Sequence, residues 1–201
     1  MHRRTTPNRG THDVISPAPT SAATRPWTLP AWQPRALTMQ GLLLIGAAWL
    51  LPSLAHLTGL PVRTLLPMHW PVVLAGLCYG WRSGAAIGAA APLVSYLLSG
   101  MPPPMVLPAM TLELAAYGFL AGFVREVLHR GRFEAVLASL LGGRVVFVGV
   151  MLATGVIAGP LPDYLRHAML PGLAAGAVQA LLLPVLAGWW VRRAVNPEGE
   201  R

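Results

Sequence analysis

Six apolar stretches follow one another along the chain, after a polar N-terminal segment. They cover about residues 36–57, 64–81, 83–99, 105–127, 135–158 and 168–191. An α-helix needs roughly 17–25 mainly apolar residues to cross the hydrocarbon core of a bilayer. Each stretch is at or near that length, so the pattern predicts an all-α, polytopic membrane protein with six transmembrane helices.

The second and third stretches are short and meet at a corner formed by Trp81 and Arg82. Gly80 and Gly84 flank this corner, and glycine commonly marks a turn. The two stretches are therefore predicted to form a tight helical hairpin instead of one long helix.

The composition agrees with a membrane protein and also predicts how the chain is oriented in the membrane. Hydrophobic residues make up 54% of the chain and charged residues only 11%, whereas soluble domains carry about 25% charged residues. With the N-terminus in the cytoplasm, twelve of the 15 basic residues, all arginines, lie on the cytoplasmic side, and only Arg63 and Arg166 lie outside. Following the positive-inside rule, this bias predicts that both termini are cytoplasmic, in a bacterial plasma or inner membrane.

The charged and motif residues also exclude several functions. The arginines form no groove-sized patch with interleaved aromatic residues, so no nucleic-acid partner is expected. Without lysine the chain cannot carry a G-x-x-x-x-G-K-[ST] phosphate loop, so any ATP hydrolysis must come from a partner. It has no H-E-x-x-H or G-x-S-x-G motif and a single cysteine, Cys78. We therefore expect neither an enzyme nor a metal or cofactor site.

The chain divides into three parts. Residues 1–35 are rich in proline, threonine and arginine and have no apolar period, which predicts a disordered, basic cytoplasmic tail. Residues 36–193 form the membrane domain, in contact with lipid. Residues 194–201 form a short second cytoplasmic tail.

Three polar residues fall near the middle of three different apolar stretches. They are Glu113, Arg144 and Gln179. A charged group at bilayer depth costs at least ~2.5–3.5 kcal/mol, so such groups are usually paired or functional. At ~1.5 Å rise per residue, all three reach about the same layer of the membrane, and His69 lies nearer the outer surface. These four residues are predicted to line one small-molecule cavity that opens outward. The alternative is a Glu113–Arg144 ion pair that only joins two helices of a non-transporting membrane scaffold.

Two further patterns suggest a lid and a docking face. Met101, Pro102, Pro103 and Met105 lie in the loop between the third and fourth stretches. Proline restricts a loop, so this segment is predicted to close over an apolar ligand, unless its prolines only end helices. The small pairs Gly84/Gly88 and Ala85/Ala89 let helices approach closely. They serve either packing inside the bundle or docking of another membrane subunit.

Two segments of the chain resemble a known family. They are LPMHWPVVLAGLCYGWRSGAAIGAAAPLVSYLLSGMPPPMVLPAMTLELAAYGFLAGF, residues 66–123, and PGLAAGAVQALLLPVL, residues 171–186. The linked pattern H-x-P…G-x-x-x-G…G-M-P-P…E-L-x-x-Y-G…P-G…Q…P is similar to substrate-binding S components of energy-coupling factor (ECF) transporters, in particular the vitamin-type group that takes folate, pantothenate or riboflavin. The first stretch, GLLLIGAAWLLP, departs from the family because it lacks the Ala-x-x-x-Ala face that commonly docks the coupling subunit. Ala85/Ala89 or Ala86/Ala90 on the third stretch are candidates to replace it.

The resemblance implies a six-helix protein that takes up a vitamin or related micronutrient from outside. It implies docking on a transmembrane coupling subunit that is driven by two ATPase subunits. In this interpretation Arg144 holds an anionic or carbonyl group, while Glu113 and Gln179 hydrogen-bond the ligand's polar edge. His69 and Tyr117 close the mouth of the cavity, and Trp70 stacks on a ring. The identity of the vitamin stays open.

Overall fold

The described part of the chain is entirely helical. The computed structural model describes residues 27–59, 66–155 and 160–195, and no strand occurs in these ranges. Numbered in chain order, the helices are α1 (Pro34–Ile45), a π-helical turn (Gly46–Leu50), α2 (Leu51–Leu57), α3 (His69–Tyr79), α4 (Trp81–Ser99), α5 (Leu107–Glu126), α6 (Arg132–Ala153) and α7 (Leu161–Val195). The predicted all-α class is confirmed.

Each of the six predicted stretches contains a helix, but not all of these helices are long and apolar enough to span a bilayer. Within the described ranges, four segments meet both requirements: Pro34–Ala55, Leu107–Glu126, Arg132–Ala153 and Gly172–Val195. The 11 residues of α3 extend only about 17 Å, which is shorter than the hydrocarbon core. The number of six crossings and the sides of the termini stay predictions, and residues 1–26 and 196–201 of the predicted tails lie outside the described residues.

The first helical segment is continuous from α1 to α2 through the π-helical turn. The N–H of Leu51 donates to the carbonyl of Gly46, five residues earlier. Pro52 follows immediately and has no N–H to donate to the preceding turn. A single π-helical turn is a common way to accommodate such an interruption.

The predicted hairpin between α3 and α4 is confirmed, and one residue makes its corner. Gly80 separates the two helices with a φ of +88°, in the region that favours glycine. The Glu126 carboxylate, at the end of α5, accepts a hydrogen bond from the N–H of Trp81 at 3.1 Å. This bond fixes the start of α4 against the end of α5.

The centre of the bundle is α5, which packs against α3, α4 and α6. The contact between α4 and α5 is a backbone contact, because a Cβ at Gly84 would collide with the carbonyl of Gly118, and one at Gly88 with the carbonyl of Leu114. Gly84 and Gly88 therefore pack inside the bundle, which is the first of the two predicted alternatives, and this packing leaves them no room to dock a partner helix. Ala85 and Ala89, on the neighbouring face of α4, are half-buried.

Candidate functional site

Glu113 and Arg144 meet where α5 packs on α6. Nη1 of Arg144 donates to Oε1 of Glu113 at 2.9 Å. The Glu113 side chain is only 3% exposed, whereas that of Arg144 is 22% exposed. The ion pair is therefore asymmetric: its carboxylate is enclosed, and its guanidinium keeps N–H groups that can reach a further partner.

His69 and Tyr117 lie beside the Glu113 carboxylate. Nε2 of His69, at the start of α3, is 3.8 Å from Oε1 of Glu113. The His69 ring meets the Tyr117 ring edge to face, with 4.7 Å between their centroids. The buried hydroxyl of Ser139 donates to the Tyr117 carbonyl at 2.8 Å, so α6 helps to fix this part of α5. The structure thus brings four of the six predicted binding residues into one buried cluster.

Gln179 is buried on α7, which packs against α3 and α6. Neither its amide nitrogen nor its amide oxygen has a hydrogen-bond partner among the described residues, and the same holds for both ring nitrogens of His69. The structure does not join Gln179 to the ion pair by a hydrogen bond. A buried polar group without a partner costs about 1–3 kcal/mol, so this amide has capacity for a bound molecule or water.

A cleft of about 380 Å³ runs along α6, with Arg144 at one end of its lining. Its other lining residues are Val145, Val148, Gly149 and Leu152. An apolar cleft with a single charged group suits a mostly apolar ligand that has one anionic or carbonyl end. Gly172 of α7 also borders the guanidinium, because a Cβ placed there would lie 2.9 Å from Nη2 of Arg144.

Tyr164 is near this cluster and was not predicted from the sequence. Burial raises the pKa of its phenol; Glu113 adds to the rise and Arg144 opposes it. Tyr164 precedes the last predicted stretch, which begins at residue 168, but α7 begins at Leu161. The extra turns of helix bring Tyr164 within electrostatic range of the ion pair. The apolar pattern carries no signal for it, because these turns are not apolar.

The remaining predicted residues lie around the cluster. Trp70 follows His69 in α3 and packs half-buried against the core. In the loop between α4 and α5, Met101, Pro103 and Met105 are exposed and Pro102 is buried, so closure of this loop over a ligand stays a prediction. No group of three or more metal-binding side chains occurs in the part of the chain that the structure describes.

Comparison with known families identifies the chain. The family described as "ECF transporter, substrate-specific component" matches residues 35–194, which cover the helices described above except the first residue of α1 and the last residue of α7. No curated protein and no solved structure matches the chain. The family match covers well over half of the 201 residues. The chain therefore belongs to the substrate-specific components of ECF transporters and is a multi-pass protein of the bacterial cell membrane.

Proposed function

We propose that this protein captures a vitamin or related micronutrient from outside the cell and delivers it to a transmembrane coupling subunit with two ATPase subunits. The family supports a substrate-binding role. The observation that carries the site assignment is the asymmetric ion pair, in which Arg144 retains access to a cleft while Glu113 is enclosed. An ion pair that only joined two helices would not need its arginine to reach a cleft.

In this proposal Arg144 is the main anchor of the ligand. Glu113 fixes one side of the guanidinium, and the other N–H groups can bind a carboxylate or carbonyl of the ligand. Gln179 offers the two N–H donors and the carbonyl acceptor of its amide to the polar edge of the ligand. His69 and Tyr117 close the buried end of the site, and Trp70, the next residue of α3, contacts a ring of the ligand.

The coupling partner is assigned to the half-buried face of α4. Ala85 and Ala89 are small residues one helical turn apart, so another helix can approach them closely. Gly84 and Gly88 already pack against α5, so the alanines are favoured over the glycines as the place where a partner docks. Replacement of Ala85 by Trp should block assembly with the coupling subunit while ligand binding is retained.

A second candidate is a membrane scaffold in which the ion pair is purely structural. The 2.9 Å contact between Arg144 and Glu113 favours it, because the two charges already satisfy each other. The two functions differ in what copurifies with the protein. Only the transporter subunit should retain a stoichiometric small molecule.

The deciding experiment is mass spectrometry of the small molecules that are released from the detergent-purified protein. The protein is produced in cells grown in rich medium. We expect a stoichiometric vitamin-like compound from the native protein, and its loss from Arg144→Ala. Arg166→Ala is the matched control, because Arg166 is an exposed arginine of α7, and it should retain the compound. Absence of any compound from repeated native preparations would favour the scaffold.

A further inference from the structure

Three arginines that pair with no carboxylate of the described residues line a second cleft, far from Glu113 and Arg144. The cleft has a volume of about 480 Å³, and its charged lining residues are Arg125, Arg132 and Arg192. Arg125 and Arg132 are each twelve residues along their helix from Glu113 and Arg144 respectively, which is roughly 18 Å. By the arginine distribution, this end of the bundle faces the cytoplasm.

Arg125 is the fixed base of this cleft. It is 5% exposed, and its Nη1 and Nη2 donate to the carbonyls of Arg130 at 2.7 Å and Trp27 at 3.1 Å. Its guanidinium lies over the Trp27 ring, 4.9 Å from the ring centroid. Its Nε is buried and has no hydrogen-bond partner among the described residues. A buried guanidinium held in place, with a donor to spare, suits an anion.

Arg132 and Arg192 add two positive charges at the edge of the cleft. Arg132 lies across Gly188 of α7, since a Cβ at Gly188 would be 3.1 Å from Nη1 of Arg132. Arg192 lies one turn further along α7. In the described ranges the ion pairs are those made by Glu113. The neighbouring carboxylate of Glu134 accepts a hydrogen bond from the N–H of Gly131 at 3.1 Å. The positive charge of the cleft is therefore not balanced within the described residues.

We propose that this cleft binds a phosphate group, presented by the headgroup of an anionic phospholipid of the cytoplasmic leaflet. Guanidinium groups pair with phosphate oxygens through several N–H donors. Basic pockets between helices at the cytoplasmic surface are typical sites for anionic headgroups. Pro184 and Val185 also line the cleft and give the glycerol and acyl part of a lipid an apolar wall, which a free phosphate ion would not need.

The test is native mass spectrometry of the purified protein with phosphatidylglycerol or phosphatidylcholine. Arg125 is left in place, because its two backbone contacts make its removal a risk to folding. Arg132→Ala/Arg192→Ala should weaken phosphatidylglycerol binding about 30-fold, at ~1 kcal/mol for each arginine near a headgroup. Arg35→Ala/Arg82→Ala removes the same charge from exposed positions at the same predicted side of the membrane and should change binding little.

Three results would overturn the proposal. The first is an equal loss in the two double variants, which would mean general surface attraction. The second is equal binding of phosphatidylcholine and phosphatidylglycerol by the native protein. The third is displacement of phosphatidylglycerol by millimolar inorganic phosphate, which would assign the cleft to a soluble phosphate instead of a lipid. Retention of phosphatidylglycerol by the native protein in phosphate buffer, with selective loss in Arg132→Ala/Arg192→Ala, supports the lipid.

Discussion

Removing one partner of the Glu113–Arg144 ion pair at a time should give two different losses of stability, because the two side chains differ in burial. Arg144→Met leaves a carboxylate that is only 3% exposed without its cation. Glu113→Gln leaves an unpaired Arg144, whose side chain is 22% exposed and lines a cleft. The variant Gln side chain also keeps an oxygen that can accept the 2.9 Å hydrogen bond from Nη1.

The size of the difference follows from these exposures. Loss of one partner of a buried ion pair costs about 3–5 kcal/mol, and Arg144→Met should fall in this range. Glu113→Gln should cost about 1–2 kcal/mol, because it exchanges a charge-assisted hydrogen bond for a neutral one. The double variant Glu113→Gln/Arg144→Met should be more stable than Arg144→Met alone, since no buried charge is left unpaired.

Thermal unfolding in detergent without ligand measures this difference. At about 2–4 °C per kcal/mol for a protein of this size, Arg144→Met should lower Tm by about 10 °C and Glu113→Gln by about 4 °C. Arg166→Met is the control for loss of an exposed arginine and should leave Tm nearly unchanged. Equal losses in the two single variants, or a larger loss in Glu113→Gln, would refute the asymmetry.

Three further predictions concern the helices around the site. Gly172→Ala should weaken ligand binding, because its Cβ would lie 2.9 Å from Nη2 of Arg144, whereas Gly176→Ala, with open space at its Cβ, should not; equilibrium dialysis compares the two. Gln179→Leu should raise Tm without ligand, since it removes a buried amide that costs about 1–3 kcal/mol unpaired, and should weaken binding in the same dialysis assay. Gly84→Ala should lower Tm sharply, because its Cβ would collide with a backbone carbonyl of α5.

Each of these has a result that would contradict it. Equal binding by Gly172→Ala and Gly176→Ala would show that Arg144 can move away at no cost to the ligand. A lower Tm for Gln179→Leu would show that the amide has a partner in the folded protein. An unchanged Tm for Gly84→Ala would mean that α4 and α5 can move apart without a loss of stability.

The sequence predicted the helices and the hairpin well, because both depend on local signals. Apolar runs of sufficient length locate the helices, and Gly80 marks the corner between α3 and α4. The convergence of Glu113 and Arg144 was predictable from depth alone, since one residue in each helix had to find a partner in a shared apolar layer.

Other features depend on which face of a helix meets which neighbour, and this information is not local. Small residues occupy two adjacent faces of α4, and the sequence does not indicate that Gly84 is the one whose backbone meets that of α5. The depth of Gln179 was predicted, but not that it would lack a hydrogen bond to the ion pair. Tyr164 was missed because the turns of α7 that position it lack an apolar pattern.

The glycine contacts around α5 divide the bundle into positions that can change and positions that cannot. At Gly76, Gly84 and Gly118 neighbouring backbone atoms occupy the space that any side chain would need, so these sites are closed to variation. The cleft along α6 differs, because it is bordered by side chains and a Cβ at Gly149 in its lining would meet open space. A change of ligand preference during evolution is therefore open to the side chains that line the site, whereas these three glycines must be retained because they hold α3, α4 and α5 together.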